Sequence, residues 1–179
     1  MNPQPTSTMR TTLVFLHGLE SGPHGSKYHA LRELDPDLVA PDCTGITGIA
    51  ERLEVIEADL ADADRMVIVG SSFGGLAALL FAQREHNRHR VAACLLCAPA
   101  LPLATPGSIT WLPAETIILH GTRDEVIPYR ASEEFCADHG IRLVSVDDDH
   151  RLAASAALMV KLAAKLLRYS AFLKPGPTT

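Results

Sequence analysis

The sequence predicts an α/β protein, a three-layer α/β/α sandwich built on a mostly parallel sheet of about six strands. Three observations lead there. Short runs such as "LVFL", "MVIV" and "VAACLLCA" are apolar throughout, which suits strands buried on both faces. These runs alternate with stretches of helical spacing, the pattern of a parallel sheet flanked by helices. The residues that carry chemistry cluster just after the apolar runs, where parallel sheets gather their functional groups.

The elements follow in order. "TTLVFLH" at 11–17 is the first strand, and "LVAP" at 38–41 is a second, shorter one. Residues 49–63 set Ile49, Leu53, Ile56 and Leu60 at helical intervals. "RMVIVG" at 65–70 is a continuous apolar strand, and the Ala- and Leu-rich stretch 72–86 after it is a helix. Strands are expected again at 91–98 and 115–121. A helix at 130–140 ends on Gly140, a residue suited to a helix C-terminus. The last strand is expected at 141–147 and the closing helix at 150–170. Residues 11–172 then make a single domain, with flexible tails at 1–10 and 173–179.

Composition narrows the function. Lys and Arg total 16 against 21 Asp and Glu, a formal charge of −5, which argues against a nucleic-acid partner. No run approaches the roughly 18 apolar residues that span a membrane. "LVFL" is too short for the core of a signal peptide, so a cytoplasmic setting away from membranes is expected. Cys94 and Cys97 have the spacing of a redox pair, but positions i and i+3 of a strand face opposite ways. All four cysteines are read as core thiols, and no metal or cofactor is implied.

"GSSFG" at 70–74 fits G-x-S-x-G with Ser72 at its centre. It follows a buried strand and opens a helix, the context of a nucleophile elbow. Gly70 and Gly74 then remove side chains that would collide with neighbouring backbone. The same residues would also serve as a plain tight turn with Ser72 as helix N-cap, or as a phosphate-binding turn. A base and an acid decide between these, because a serine hydroxyl needs an imidazole to take its proton and a carboxylate to orient that ring. Elbow enzymes carry them in the order Ser, acid, His. Asp124 follows the 115–121 strand, and His150 follows the last strand. Glu125 and Asp147 to Asp149 are the rival acids, and His17, His24, His29, His86, His89, His120 and His139 fall elsewhere in that order. The expected oxyanion donors are the backbone N–H groups of Phe73 and Leu19. His17 and Gly18 shape the loop beside them and are grouped with Leu101, Leu103 and Trp111 as substrate-binding candidates, core packing being the equal competing reading for the last three.

Together "VFLHGLESG", "GSSFGG", "LHGTRDEVIPY" and "DDDH" resemble the α/β-hydrolase superfamily over roughly residues 11–170, and within it the small lid-less bacterial esterases. The resemblance implies a Ser72–Asp124–His150 triad, an oxyanion hole at Leu19 and Phe73, and a minimal fold without a cap domain, since only residues 99–115 separate two strands. It implies a serine hydrolase acting on a small ester or thioester, with acyl transfer or non-catalytic ligand binding on the same fold as the alternatives.

Overall fold

The computed structural model describes residues 10–173. The expected tails therefore lie outside the described residues, apart from Arg10 and Leu173. Five parallel strands pair in chain order: β1 (Thr11–Leu16), β2 (Arg65–Ser71), β3 (Val91–Cys97), β4 (Glu115–Gly121) and β5 (Arg142–Val146). Their registers bring the carboxyl ends level, with Leu16 opposite Gly70, Ser71 opposite Cys97 and Gly121 opposite Val146. The loops after β1, β2, β4 and β5 consequently open onto one edge of the sheet.

Helices cover both faces. α2 (Ile49–Asp59), α3 (Phe73–Gln83) and α4 (Tyr129–His139) pack on one side against Val14, Leu16, Met66, Ile68, Cys94, Leu96 and Ile118. α1 (Ser26–Leu34) and α5 (Ala156–Phe172) pack on the other against Leu13, Phe15, Val67, Val69, Leu95, Cys97 and Leu119. Cys94 and Cys97 thus enter opposite cores, and burial pushes each thiol up to about 12.

Three elements differ from the sequence reading. Residues 38–41 give no full strand: Val39 makes one parallel bridge to Val14, through Val39 N–H to Leu13 O and Phe15 N–H to Val39 O. The next ladder donor would be residue 41, which is proline and has no N–H. On the other side, the Asp37 N–H is turned onto the Asp35 carboxylate instead. The sheet therefore counts five strands rather than six. α1 was not anticipated, because only Tyr28 and Leu31 of its nine residues are buried and its pattern is mostly polar. The closing helix starts at Ala156 rather than at residue 150. Asp148 accounts for the delay: its Oδ2 accepts from both the N–H and the hydroxyl of Ser155, holding 148–155 as a loop.

Candidate active site

The turn between β2 and α3 is strained at one residue. Ser72 has φ 54° and ψ −117°, a left-handed setting that costs a non-glycine residue about 1–3 kcal/mol. The strain is held by backbone contacts on both sides. Ser72 N–H donates to Cys97 O at 2.9 Å, and Ser72 O accepts from Gly75 and Ala100 N–H at 2.9 and 3.0 Å. The flanking glycines are sterically required. A Cβ on Gly70 would sit 2.6 Å from Gly74 O, and one on Gly74 would sit 2.0 Å from Leu16 O. The Gly74 contact also seats α3 directly under the start of the 17–25 loop.

Ser72, His150 and Asp124 form one hydrogen-bonded line. His150 Nε2 lies 3.1 Å from Ser72 Oγ, and its Nδ1 lies 2.7 Å from Asp124 Oδ2. The His150 side chain is 20% exposed and that of Asp124 is fully buried. Asp124 has four donors around it. The N–H groups of Val126 and Ile127 reach Oδ1 at 2.8 Å each, while His150 and His120 reach Oδ2. Burial alone would push this carboxyl up. The Ile127 N–H, the His150 ring and the Val126 N–H outweigh it and hold the group below its ordinary value, as a carboxylate.

The rival acids are engaged elsewhere. Asp147 is exposed and pairs with Arg123. Asp148 accepts from Ser155 and from the Asp149 N–H, and Asp149 accepts the Arg151 N–H. Glu125 is exposed.

His120 was not singled out by the sequence, although it lies four residues before Asp124. It is fully buried, with Nδ1 2.7 Å from Ser132 Oγ and Nε2 3.0 Å from Asp124 Oδ2. The Ser132 hydroxyl donates to Nδ1, which leaves the Nε2–H to donate to the carboxylate. Burial lowers the affinity of this ring for a second proton, against the pull of Asp124.

On the other side of Ser72 stands the 17–25 loop. A Cβ on Gly18 would lie 3.5 Å from Ser72 Cβ, so the loop runs alongside the serine. His17 is 2% exposed, and its Nε2 accepts the Cys43 N–H at 3.1 Å. The proton therefore sits on Nδ1, which donates to Gly18 O at 2.8 Å. Burial lowers the pKa of this ring as well. Among the described residues the N–H groups of Leu19 and Phe73 have no backbone acceptor.

The remaining candidates separate. Leu103 is 63% exposed on the short 3-10 turn Leu101–Leu103, while Leu101 points into the core. Trp111 is not brought to the site. Its N–H and carbonyl bind the Gln83 side chain at 3.0 and 2.6 Å, and the Arg88 guanidinium lies 5.9 Å over its ring. Gln83 ends α3 and Ser72 precedes its start, which puts the two about 15 Å apart along the helix axis.

A parallel sheet with a strained serine at a strand-to-helix turn, and no domain inserted between β3 and β4, defines an α/β hydrolase without a lid. The model of the alpha/beta hydrolase family matches residues 13–178, and the chain belongs to that family. No curated protein matches the sequence. Among solved structures, one from Xanthomonas campestris pv. campestris, assigned to the alpha/beta hydrolase superfamily, is 26% identical with a TM-score of 0.73, covering 88% of this chain and 97% of that one. Est1E from Butyrivibrio proteoclasticus is 18% identical with a TM-score of 0.70, covering 92% and 90%. A serine hydrolase without lid, also from Xanthomonas campestris, is 15% identical with a TM-score of 0.69, covering 97% and 88%. Family membership supports a hydrolytic function. Among the described residues no helix is long and apolar enough to cross a membrane.

Proposed function

We propose that the protein is a serine hydrolase that cleaves small carboxylic esters or thioesters through an acyl-enzyme. The observation that carries this reading is the unbroken line from Ser72 Oγ through His150 to the buried carboxylate of Asp124. Ser72 Oγ attacks the acyl carbonyl while His150 Nε2 takes its proton. The tetrahedral oxyanion is received by the Leu19 and Phe73 N–H groups. Collapse expels the alcohol or thiol, which leaves with the proton from His150. Water, activated by the same ring, then attacks the acyl-enzyme and returns Ser72 and a carboxylic acid. Asp124 keeps His150 in the tautomer that presents Nε2 to the serine.

The surroundings support an apolar acyl group. Phe73, Leu76, Ala100 and Ile127 form a cluster next to Ser72. Leu19 at 40%, Leu103 at 63% and Val126 at 65% exposure are three of the four most exposed large apolar side chains among the described residues. All three stand on loops at the carboxyl edge of the sheet. Hydrolysis of p-nitrophenyl esters and acyl thioesters of graded chain length tests the reading. Turnover that His150→Ala removes is expected. Hydrolysis by His150→Ala at the wild-type rate would contradict it.

A further inference from the structure

In a trans peptide the C=O and N–H point in opposite directions. The aim of the Leu19 N–H is therefore set by whatever holds the carbonyl of Gly18. Three side chains hold it: His17 Nδ1 at 2.8 Å, Ser21 Oγ at 3.4 Å and Arg52 Nη2 at 3.4 Å. Arg52 reaches further. Its Nη1 donates to His17 O at 3.1 Å and its Nε to Ile46 O at 2.7 Å. The residue is 1% exposed, and its guanidinium lies 5.0 Å over the ring of Phe73. One side chain thus touches both the loop that carries Leu19 and the residue whose N–H is the second donor.

The charge of Arg52 is unusual in its setting. Among the described residues no carboxylate pairs with it. Moving a cation out of water without a counter-ion is unfavourable, and carbonyl oxygens only partly offset that. A buried positive charge that is not neutralised is well placed where a negative charge forms during the reaction. A carbonyl bound to a cation is also polarised, which strengthens the N–H of the same peptide as a donor.

We propose that Arg52 is the positioning residue of the oxyanion hole. It locks the Gly18–Leu19 peptide with its N–H turned toward Ser72, and its positive charge, held on the carbonyl side of that peptide, acts on the developing oxyanion through the peptide dipole. The assignment rests on the serine-hydrolase reading above. Rotation of this peptide would put the Gly18 carbonyl where the oxyanion must form and would break all three contacts to it. Nothing in the chemistry requires Arg52 to touch the substrate.

The test compares wild type, Arg52→Lys and Arg52→Met, each checked for folding by thermal melting. The readouts are kcat and KM on one p-nitrophenyl ester and the Ki of a straight-chain alkyl boronic acid, whose adduct with serine places an anionic oxygen in the hole. Arg52→Met is expected to lose about 10²-fold in kcat and to weaken the boronate by a similar factor, with KM within about twofold. Arg52→Lys keeps a charge but not the fork, and should fall between the two. Should Arg52→Met not fold, Arg52→Lys decides alone, with a loss of about 5- to 10-fold in kcat and boronate affinity at unchanged KM. Folded variants that keep kcat and Ki within about twofold overturn the assignment, as does a fall in kcat without a matching loss of boronate affinity. In either case an active wild type leaves the hydrolase reading standing. A wild type that neither hydrolyses esters nor binds the boronate brings both down.

Discussion

The two sides of Ser72 are built on opposite electrostatic plans. On the His150 side a buried carboxylate is surrounded by four donors, two of them histidine rings. On the Gly18 side a buried guanidinium is surrounded by carbonyls, with no carboxylate paired to it among the described residues. The contrast suits the chemistry proposed. The acid side must stabilise an imidazolium that appears and disappears, so its negative charge is permanent and fully subscribed. The oxyanion side receives a negative charge only during reaction, so it keeps positive potential in reserve. Each side also has a buried neutral histidine that fixes a neighbour: His120 fixes Asp124, and His17 fixes Gly18.

Substitutions can break this comparison at different strengths. Asp124→Asn should be the most damaging on the acid side, lowering kcat by about 10⁴-fold because His150 is held in the wrong tautomer. An unchanged kcat on an ester substrate would return the acid role to Glu125 or to Asp147 to Asp149. His120→Phe should be milder. It removes one donor of four, a bond to a charged group worth about 1.5–3 kcal/mol, and so about 10- to 100-fold in kcat at unchanged KM. A loss as large as that of Asp124→Asn would make His120 part of the proton path rather than its support.

Acid sensitivity follows from the two buried rings together. His17 and His120 each hold a second proton less readily in the folded protein than in the unfolded chain. Between the lowered folded value and about 6.5 the unfolded chain binds more protons. Stability should therefore be full above about pH 6.5 and fall as pH drops below it, by up to about 1.4 kcal/mol per pH unit per ring. Thermal melts between pH 8 and 5.5 measure this, and a flat Tm would contradict it. The depressed carboxylate of Asp124 adds a separate loss only below about pH 4. The smallest functional effect is expected from Trp111→Ala. Melting temperature should drop, because the indole packs on the core. Ester kcat/KM should stay within about twofold, because the ring is far from Ser72. A large loss of kcat/KM in a protein of normal stability would return Trp111 to the pocket.

Much of this was legible in the sequence, for physical reasons that differ by element. Strands buried on both faces announce themselves as unbroken apolar runs, so β2, β3 and β4 were located closely. Gly70 and Gly74 singled out Ser72 because the two spaces they leave are needed by Gly74 O and Leu16 O. Chain order pointed to Asp124 and His150, and the structure brings both within hydrogen-bonding reach of the line from Ser72. What was missed depends on tertiary contacts. Pro41 ends the 38–41 pairing only once its partner is known. Trp111 stood open between pocket wall and core packing, and only its contacts choose: Gln83 holds its backbone at the far end of α3 and the indole packs on the core. Arg52 did leave a trace. It stands between Ile49 and Ile56 on the apolar grid of α2, where a charged residue is out of pattern. His120 left a weaker one, as a polar residue near the end of a buried strand.

The central claim is that Ser72 is an activated nucleophile. It is tested most directly by incubating the pure protein with a fluorophosphonate and locating the added mass by peptide mapping. The account predicts one adduct, on Ser72 and not on Ser71, that Ser72→Ala abolishes and Asp124→Asn slows. A folded wild-type protein that takes up no label, or that is labelled equally after Ser72→Ala, would contradict it.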